Sequence, residues 1–114
     1  MGGDMPDYLR YVSYTVLFPS PDIPNPKKYE GTVAVAGIPV TLAVKTDLGK
    51  NGGDGYITCD GAGDLLVDIS KDGVVFETDI TVKLSEVLSL SGLNIHTIKI
   101  DTTQSGTAYR CVVI

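Results

Sequence analysis

Apolar and polar residues alternate through residues 64–84, and this alternation predicts a β-hairpin. Successive side chains of a strand point to opposite faces, so every second residue shares one face. Opposed residues of an antiparallel pair also share a face, which requires a loop of even length. We predict a type I′ turn at Asp72-Gly73, with a four-residue loop over 70–73 as the alternative. The predicted inward residues are Leu65, Val67, Ile69, Val74, Phe76, Thr78, Ile80, Val82 and Leu84.

Two further hairpins are predicted, one before and one after this segment. The first covers residues 31–46, with a type II′ turn at Gly37-Ile38. Its inner face would carry Val33, Val35, Val40, Leu42 and Val44, and its outer face Ala34, Ala36, Thr41, Ala43 and Lys45. The second pairs 94–101 with 106–113, so that Ile98, Ile100, Tyr109, Cys111 and Val113 face inward and Lys99 and Arg110 face water. Residues 56–59 form a short strand, and 85–90 form a short turn or 3₁₀ piece, with a bent strand as the alternative.

The N-terminal part of the chain combines an apolar strand with a run of prolines. Residues 8–18 are rich in Tyr, Val and Thr and are apolar on both faces, which is typical of a central strand or of one that meets a partner. Four prolines between residues 19 and 26 predict an extended crossover or arm over 19–30. We expect residues 1–7 to be flexible.

The succession of about eight short strands predicts an all-β fold. Turn residues recur about every ten positions, which is typical of an antiparallel β-sandwich or a jelly-roll-like fold. A chain of 114 residues forms one domain, 1–114, and can bury a core without metal or disulfide support. The predicted architecture is therefore a single sandwich with an N-terminal proline-rich arm.

Charge argues against two classes of partner. The net charge of −5 and a pI near 4.6 oppose binding to nucleic acid or to an anionic membrane surface. The apolar run at residues 11–18 is too short to span a bilayer and lacks the features of a secretory signal. The sequence thus predicts cytoplasmic synthesis.

The two cysteines are predicted to be reduced thiols in the core. Cys59 and Cys111 each lie within a predicted strand, and a disulfide is the alternative if those strands are neighbours. Residues 111–114 match a prenylation box, but residues 107–114 continue a strand pattern rather than a mobile tail, so we reject lipidation.

The sequence offers no recognisable catalytic set, so we predict that the chain is not an enzyme. Its one histidine, His96, is interpreted as a half-buried structural residue. Aspartates crowd the glycine-rich segment at Asp47, Asp54, Asp60, Asp64 and Asp68, but their spacing does not match a calcium-binding loop, and turns account for them more simply. We predict no metal and no cofactor.

Residues 61–84 resemble the small β-sandwich accessory proteins of tailed bacteriophages, which decorate capsids or associate with tails. The resemblance is carried by the strand Leu65 to Ser70, the Asp72-Gly73 turn, Phe76, and Ile80 to Val82, together with the closing strand from Gly106 to Arg110. It implies a virion-associated module that acts by multivalent docking to other particle proteins.

The sequence therefore predicts a structural or interaction module that forms homo-oligomers. The two-faced strand, the proline arm and the small-residue face are the candidate contact surfaces, although a plain solvent face explains the alanines equally well. The candidate interface residues are Tyr8, Tyr11, Tyr14, Pro21, Pro24, Ala34, Ala36 and Ala43. The alternative is a carbohydrate-binding module that uses tyrosines and loops rich in Asp and Asn.

Overall fold

A computed structural model describes residues 25–114 of the chain. In this range the strands are β1 (Lys27–Val33), β2 (Val40–Leu42), β3 (Gly55–Gly61), β4 (Leu65–Ser70), β5 (Glu77–Val82), β6 (Val87–Ser89), β7 (Thr97–Thr102) and β8 (Thr107–Val113). One short helix, α1 (Val44–Leu48), follows β2. The predictions for the strand at 8–18, for residues 1–7 and for the prolines up to Pro24 lie outside the described residues.

The strands form two antiparallel sheets of four strands each. Sheet A has the order β1-β8-β3-β6, and sheet B has the order β2-β7-β4-β5. Inward residues of both sheets form one apolar core, whose members include Ile57, Leu65, Ile98 and Cys111. This arrangement confirms the predicted all-β antiparallel sandwich.

The hairpin predicted at residues 64–84 exists, but its turn is not the predicted one. Leu65 pairs with Val82 and Val67 with Ile80, as the alternation requires. The register then shifts, so that Ile69 pairs with Glu77, and the loop runs from Lys71 to Phe76. The bulge arises at Asp79, whose φ is 59° and whose N–H is donated to a carboxylate oxygen of Asp68 at 2.9 Å.

Residues 74–76 therefore do not lie on the inner face, which corrects the sequence prediction. Val74 is 81% exposed and Val75 is 72% exposed. The ring of Phe76 lies 4.5 Å from the ammonium of Lys99, a residue that alternates with buried Ile98 and Ile100 and so belongs to the outer face of sheet B.

The other two predicted hairpins are wrong, because their strands lie in opposite sheets. β1 pairs with β8 and β2 with β7, so residues 34–39 cross from sheet A to sheet B. Likewise, residues 103–106 connect β7 in sheet B to β8 in sheet A. Most predicted inward positions of these strands are still buried, because they meet across the core instead of side by side. Val40 is half-buried, and Val35 is 50% exposed.

Side-chain hydrogen bonds fix the two crossing segments to one another. The N–H of Gly37 is donated to Asp101 at 2.8 Å, and the N–H of Ala36 is donated to the Ser105 hydroxyl at 2.9 Å. Beneath them, the hydroxyls of Thr102 and Thr107 lie 2.7 Å apart in the buried interior. The bonds of Gly37 and Ala36 join residues more than sixty positions apart, and they satisfy loop N–H groups that a hairpin would have paired within one sheet.

Two smaller predictions are also revised. Residues 27–30, predicted as the end of the proline arm, belong to β1. After a turn at residues 84–85, residues 87–89 form β6, which pairs with β3, in place of the predicted turn or 3₁₀ piece. The short strand predicted at residues 56–59 is confirmed and extends over Gly55–Gly61.

Candidate functional site

The sandwich has two lateral sides, and the chain covers one of them with α1. We call this the closed side; it is bounded by β1 and β2. Val44 in α1 is fully buried, and Leu48 packs against the core. The hydroxyl of Tyr29 in β1 donates a 2.6 Å hydrogen bond to Asp47, and burial together with that carboxylate raises the pKa of Tyr29 well above its usual value. The helix thus seals the gap between the edges of the two sheets.

The opposite side, bounded by β5 and β6, carries an apolar groove. We call this the open side. The groove has a volume of about 320 Å³ and is lined by Ile69, Lys71, Val75, Glu77, Ile80, Leu93 and Asn94. Ile69 and Ile80 have inward parity and pack against the core, yet they are only half-buried. The groove is therefore a place where the described part of the sandwich leaves its core accessible.

One wall of the groove is a loop organised by Ser70 and Asp72. The Asp72 carboxylate accepts the N–H groups of Val74 at 2.8 Å and Val75 at 3.0 Å. The Ser70 hydroxyl accepts the N–H of Gly73 at 2.8 Å. The N–H groups of Val74 and Val75 lower the pKa of Asp72 to about 2, because they favour its ionised form. The loop consequently holds Val75 in a defined position although that side chain faces solvent.

The second wall, around Leu93 and Asn94, is tied to the first through Asn51. The side-chain amide of Asn51 donates to the Lys71 carbonyl at 3.0 Å and to Asn94 Oδ1 at 2.8 Å. The N–H of Gly92 is donated to the Gly53 carbonyl at 3.1 Å, which fixes the base of this wall. Because one amide bridges both walls, the groove is preformed by the protein's own hydrogen bonds.

A second, more polar surface lies on the outer face of sheet A. We call it the Tyr56 face; it consists of Tyr56, Arg110, Asp60, Glu30 and Lys28. Arg110 Nε and Nη2 donate to the two oxygens of Asp60 at 2.7 and 3.0 Å, an arrangement that lowers the pKa of Asp60 and raises that of Arg110. Beside this pair is a shallow depression of about 130 Å³, lined in part by Tyr56.

The structure does not align the three alanines predicted at an interface as one strand face. Ala34 and Ala36 are exposed in the segment that crosses between the sheets, and Ala43 is exposed between β2 and α1. The hairpin that would have placed them on one face is not formed. Tyr8, Tyr11, Tyr14, Pro21 and Pro24 lie outside the described residues.

His96, the one histidine, is half-buried and does not line the groove. Its Nδ1 lies 2.7 Å from the Thr97 hydroxyl, and its ring packs against Gly73, where a Cβ would come within 2.8 Å of the ring. In residues 25–114, no three His, Cys, Asp or Glu side chains lie close enough together to hold a metal ion. His96 thus makes contacts with Thr97 and Gly73. The aspartates among residues 25–114 form no metal-binding cluster.

Both cysteines are free and buried, as the sequence predicted. Cys59 is opposite Tyr109, and Cys111 is opposite Ile57, so the two thiols are diagonal neighbours on adjacent strands. Diagonal positions are separated by about 7 to 8 Å, which is too far for an unstrained disulfide. Burial also raises the pKa of Cys111 to about 12, which keeps that thiol protonated and unreactive.

Sequence reasoning missed the groove, although a signal for it was present. Val74, Val75 and Phe76 are three consecutive apolar residues, and they interrupt the alternation on which the hairpin was predicted. A strand with one wet face does not place three such residues in succession. Leu93, the other wall residue, follows two turn-forming residues, Ser91 and Gly92, and is likewise exposed.

Comparison with known proteins finds no family model, no curated protein and no solved structure that matches the chain. None of the helical structure within residues 25–114 is long and apolar enough to cross a membrane. The groove and the Tyr56 face are therefore the features from which a function can be inferred.

Proposed function

We propose that this chain is a non-catalytic structural module that self-associates, and that the groove is its contact surface. The observation that supports the proposal is the accessibility of Ile69 and Ile80, two half-buried residues that pack against the core, between the walls formed by Val75 and Leu93. Exposing apolar surface of this kind to water costs free energy, and that free energy is recovered when a partner covers the surface. Lys71 and Glu77, of opposite charge, give the groove a polar rim, as protein contact surfaces commonly have.

The setting that we propose is a bacteriophage particle, on which the module decorates the capsid or accompanies the tail. This part of the proposal is supported by the sequence resemblance of residues 61–84. A repeated particle lattice makes a weak contact effective, because many copies bind at once. Capsid, portal or tail genes next to the gene for this chain would support the setting, and a neighbourhood of unrelated metabolic genes would count against it.

The experiment that tests the proposed contact surface compares two adjacent valines. Val75 lines the groove, whereas Val74 is exposed beside it and does not line it. We expect Val75→Asp to raise the dissociation constant for self-association at least about tenfold, because a carboxylate cannot be buried unpaired in an apolar contact.

The matched control is Val74→Asp, for which we expect a change of less than about twofold, within the range of surface substitutions. Sedimentation velocity of the full chain over a wide concentration range measures both constants. A wild-type chain that remains strictly monomeric at millimolar concentration would refute the proposal. Equal effects of the two substitutions would show that the groove is not the contact.

A carbohydrate-binding module is the second candidate, and the Tyr56 face is the observation that favours it. Of the tyrosines within residues 25–114, Tyr56 is the exposed one, with 40% of its surface accessible. The fixed Arg110 and Asp60 pair beside it offers both donors and acceptors to sugar hydroxyls. A glycan array with wild-type and Tyr56→Ala chains tests this candidate. Binding that the substitution abolishes would support it, and an array without hits would exclude it.

A further inference from the structure

We propose that residues 8–18 of a second copy of this chain occupy the groove as an extended segment. The inference rests on the proposed function, since it names the partner for the same surface. Each copy would donate its N-terminal strand to the open side of another copy and receive one in return or from a third copy. The contact is thus an exchange of identical elements between protomers.

The sequence of residues 8–18 is suited to such a role. On one face of the predicted strand are Tyr8, Arg10, Val12, Tyr14, Val16 and Phe18, and on the other are Leu9, Tyr11, Ser13, Thr15 and Leu17. A strand that is apolar on both faces needs cover on both, because strands with one wet face alternate strictly. The groove would cover one row of side chains against Ile69 and Ile80, and its walls around Val75 and Leu93 would flank the other row.

The groove and the edge strands beside it offer apolar surface to part of such a segment. β5 and β6 are the last strands of their sheets on the open side within the described residues, and both Ile80 in β5 and Leu88 in β6 are half-buried residues that pack against the core. An extended segment of eleven residues is about 36 Å long at 3.3 Å per residue, which exceeds the length of either edge strand, so only part of the segment would lie in the groove. Lys71 and Glu77 on the rim are opposite in charge to Asp7, which directly precedes the segment, and to Arg10 within it.

Side chains rather than a long backbone ladder would hold the segment. The bulge at Asp79 directs that residue's N–H to Asp68 and interrupts the regular edge of β5. A bulged edge resists pairing with arbitrary strands. Selectivity for residues 8–18 would then come from the fit of Val12, Val16 and similar residues against Ile69 and Ile80.

The connection between residues 8–18 and β1 favours a second copy over the same copy. β1 begins at Lys27 opposite Val113, at the end of the sandwich where the groove also lies, but β1 is on the closed side. The prolines at positions 19, 21, 24 and 26 predict an extended connection, about 25 Å long over 19–26 at about 3.1 Å per residue. We expect a stiff connection of that length to project residues 8–18 away from their own sandwich, because prolines resist the turn that would bring them across the end to the opposite side.

Cysteine trapping in mixed full-length chains tests the occupant directly. Two pools of chains that carry different tags are mixed. One pool carries Val75→Cys, and the other carries Val12→Cys, Tyr14→Cys or Val16→Cys in turn. We expect at least one pairing to form a disulfide between the two tags under mild oxidation. Val74→Cys is the matched control in the groove pool, and Ser20→Cys is the control in the segment pool; both should form at least about fivefold less product. Cys59 and Cys111 are buried and are not expected to compete.

A second measurement separates failure of this inference from failure of the proposed function. Val16→Asp should raise the dissociation constant at least about tenfold, as Val75→Asp does, whereas Ser20→Asp should not. If Val75→Asp dissociates the oligomer and Val16→Asp does not, the groove is the contact surface and residues 8–18 are not its occupant. If a chain carrying both Val16→Cys and Val75→Cys closes a disulfide within one copy at low concentration, exchange between copies is refuted.

Discussion

On both the closed side and the open side of the sandwich, the apolar core ends at the edges of the two sheets. The described part of the chain covers the core on the closed side and leaves it partly accessible on the open side. At the closed side, α1 inserts Val44 between the sheets and leaves it with no exposed surface. At the open side, the described residues leave Ile69 and Ile80 half-buried beneath two loops. The side that the domain completes by itself contributes stability, and the side that it leaves incomplete provides apolar surface for binding.

The largest expected effect is the contrast between Val44→Ala and Val75→Ala. The first substitution removes two buried methyl groups, at about 0.8 kcal/mol each, and leaves a cavity beneath α1, so we expect a loss of about 2 to 3 kcal/mol in the free energy of unfolding. The second removes the same atoms from a residue that is 72% exposed, and we expect it to lower the free energy of unfolding by less than about 0.5 kcal/mol in dilute solution.

Urea unfolding of both variants at low protein concentration measures this contrast. Repeating it at high concentration sharpens the comparison, because self-association stabilises the folded state by mass action. The effect of Val75→Ala should then grow, while that of Val44→Ala should stay constant. Equal losses in the free energy of unfolding at low concentration would contradict the exposure of Val75 on the open side.

Gly52 and Gly53 give the next largest contrast, because Gly52 packs against Val44 on the closed side and Gly53 adjoins Leu93 in the groove wall of the open side. A Cβ at Gly52 would come 2.3 Å from a methyl group of Val113 and 3.2 Å from one of Val44, whereas at Gly53 the nearest atom is 3.7 Å away. We expect Gly52→Ala to cost about 1 to 3 kcal/mol through overpacking, and Gly53→Ala to be neutral or slightly stabilising. Thermal unfolding of both variants measures the difference. A neutral Gly52→Ala would show that the closed side is loosely packed.

The sequence predicted the all-β class and most inward positions, because the period-two alternation is local and depends on burial alone. It did not predict which strands pair. The crossings at 34–39 and 103–106 depend on contacts such as Gly37 to Asp101, which join residues far apart in the chain and leave no local pattern. The one confirmed hairpin, β4 with β5, is the one pair of consecutive described strands that lies in a single sheet.

The groove escaped prediction for a related reason. Val75 has the hydrophobicity of a core residue, but it lies in a loop where its N–H is donated to Asp72 and its side chain is exposed. Ile69 and Ile80 have inward parity, so the pattern correctly placed them on the core face. Whether a core-facing residue is covered depends on how the sheets end, and alternation carries no information about that.

Tyr29→Phe removes one bond of the closed side and has a moderate expected effect. Loss of the 2.6 Å hydrogen bond to Asp47 should cost about 1 kcal/mol at neutral pH. Because folding raises the pKa of Tyr29, its contribution is present below the unfolded value of about 10 and is lost as the pH rises above it. Wild type and variant should therefore converge in stability at strongly alkaline pH, as followed by urea titrations between pH 7 and 11. A gap that widens with pH would contradict the assigned sign.

The smallest expected effect is local and concerns the wall of the groove on the open side. Folding lowers the pKa of Asp72 to about 2, so its bonds to Val74 and Val75 are fully present above the unfolded value of about 4 and are lost as the pH falls through about 2. Hydrogen exchange at the two amides, expressed as protection relative to intrinsic rates, should fall over this interval. In Asp72→Asn, which keeps an oxygen acceptor but does not titrate, protection should not change with pH.

The closed side provides the internal control for this measurement. The N–H of Gly52 is donated to the Ile95 carbonyl at 2.8 Å and involves no titrating group, so its protection should stay constant while that of Val75 falls. If both amides lose protection together, the acid effect is global unfolding and Asp72 has no separate role in the wall. The other outcome is that Val75 alone loses protection and self-association weakens over the same pH interval. The ionised Asp72 carboxylate would then hold the groove wall in the conformation that binds the partner.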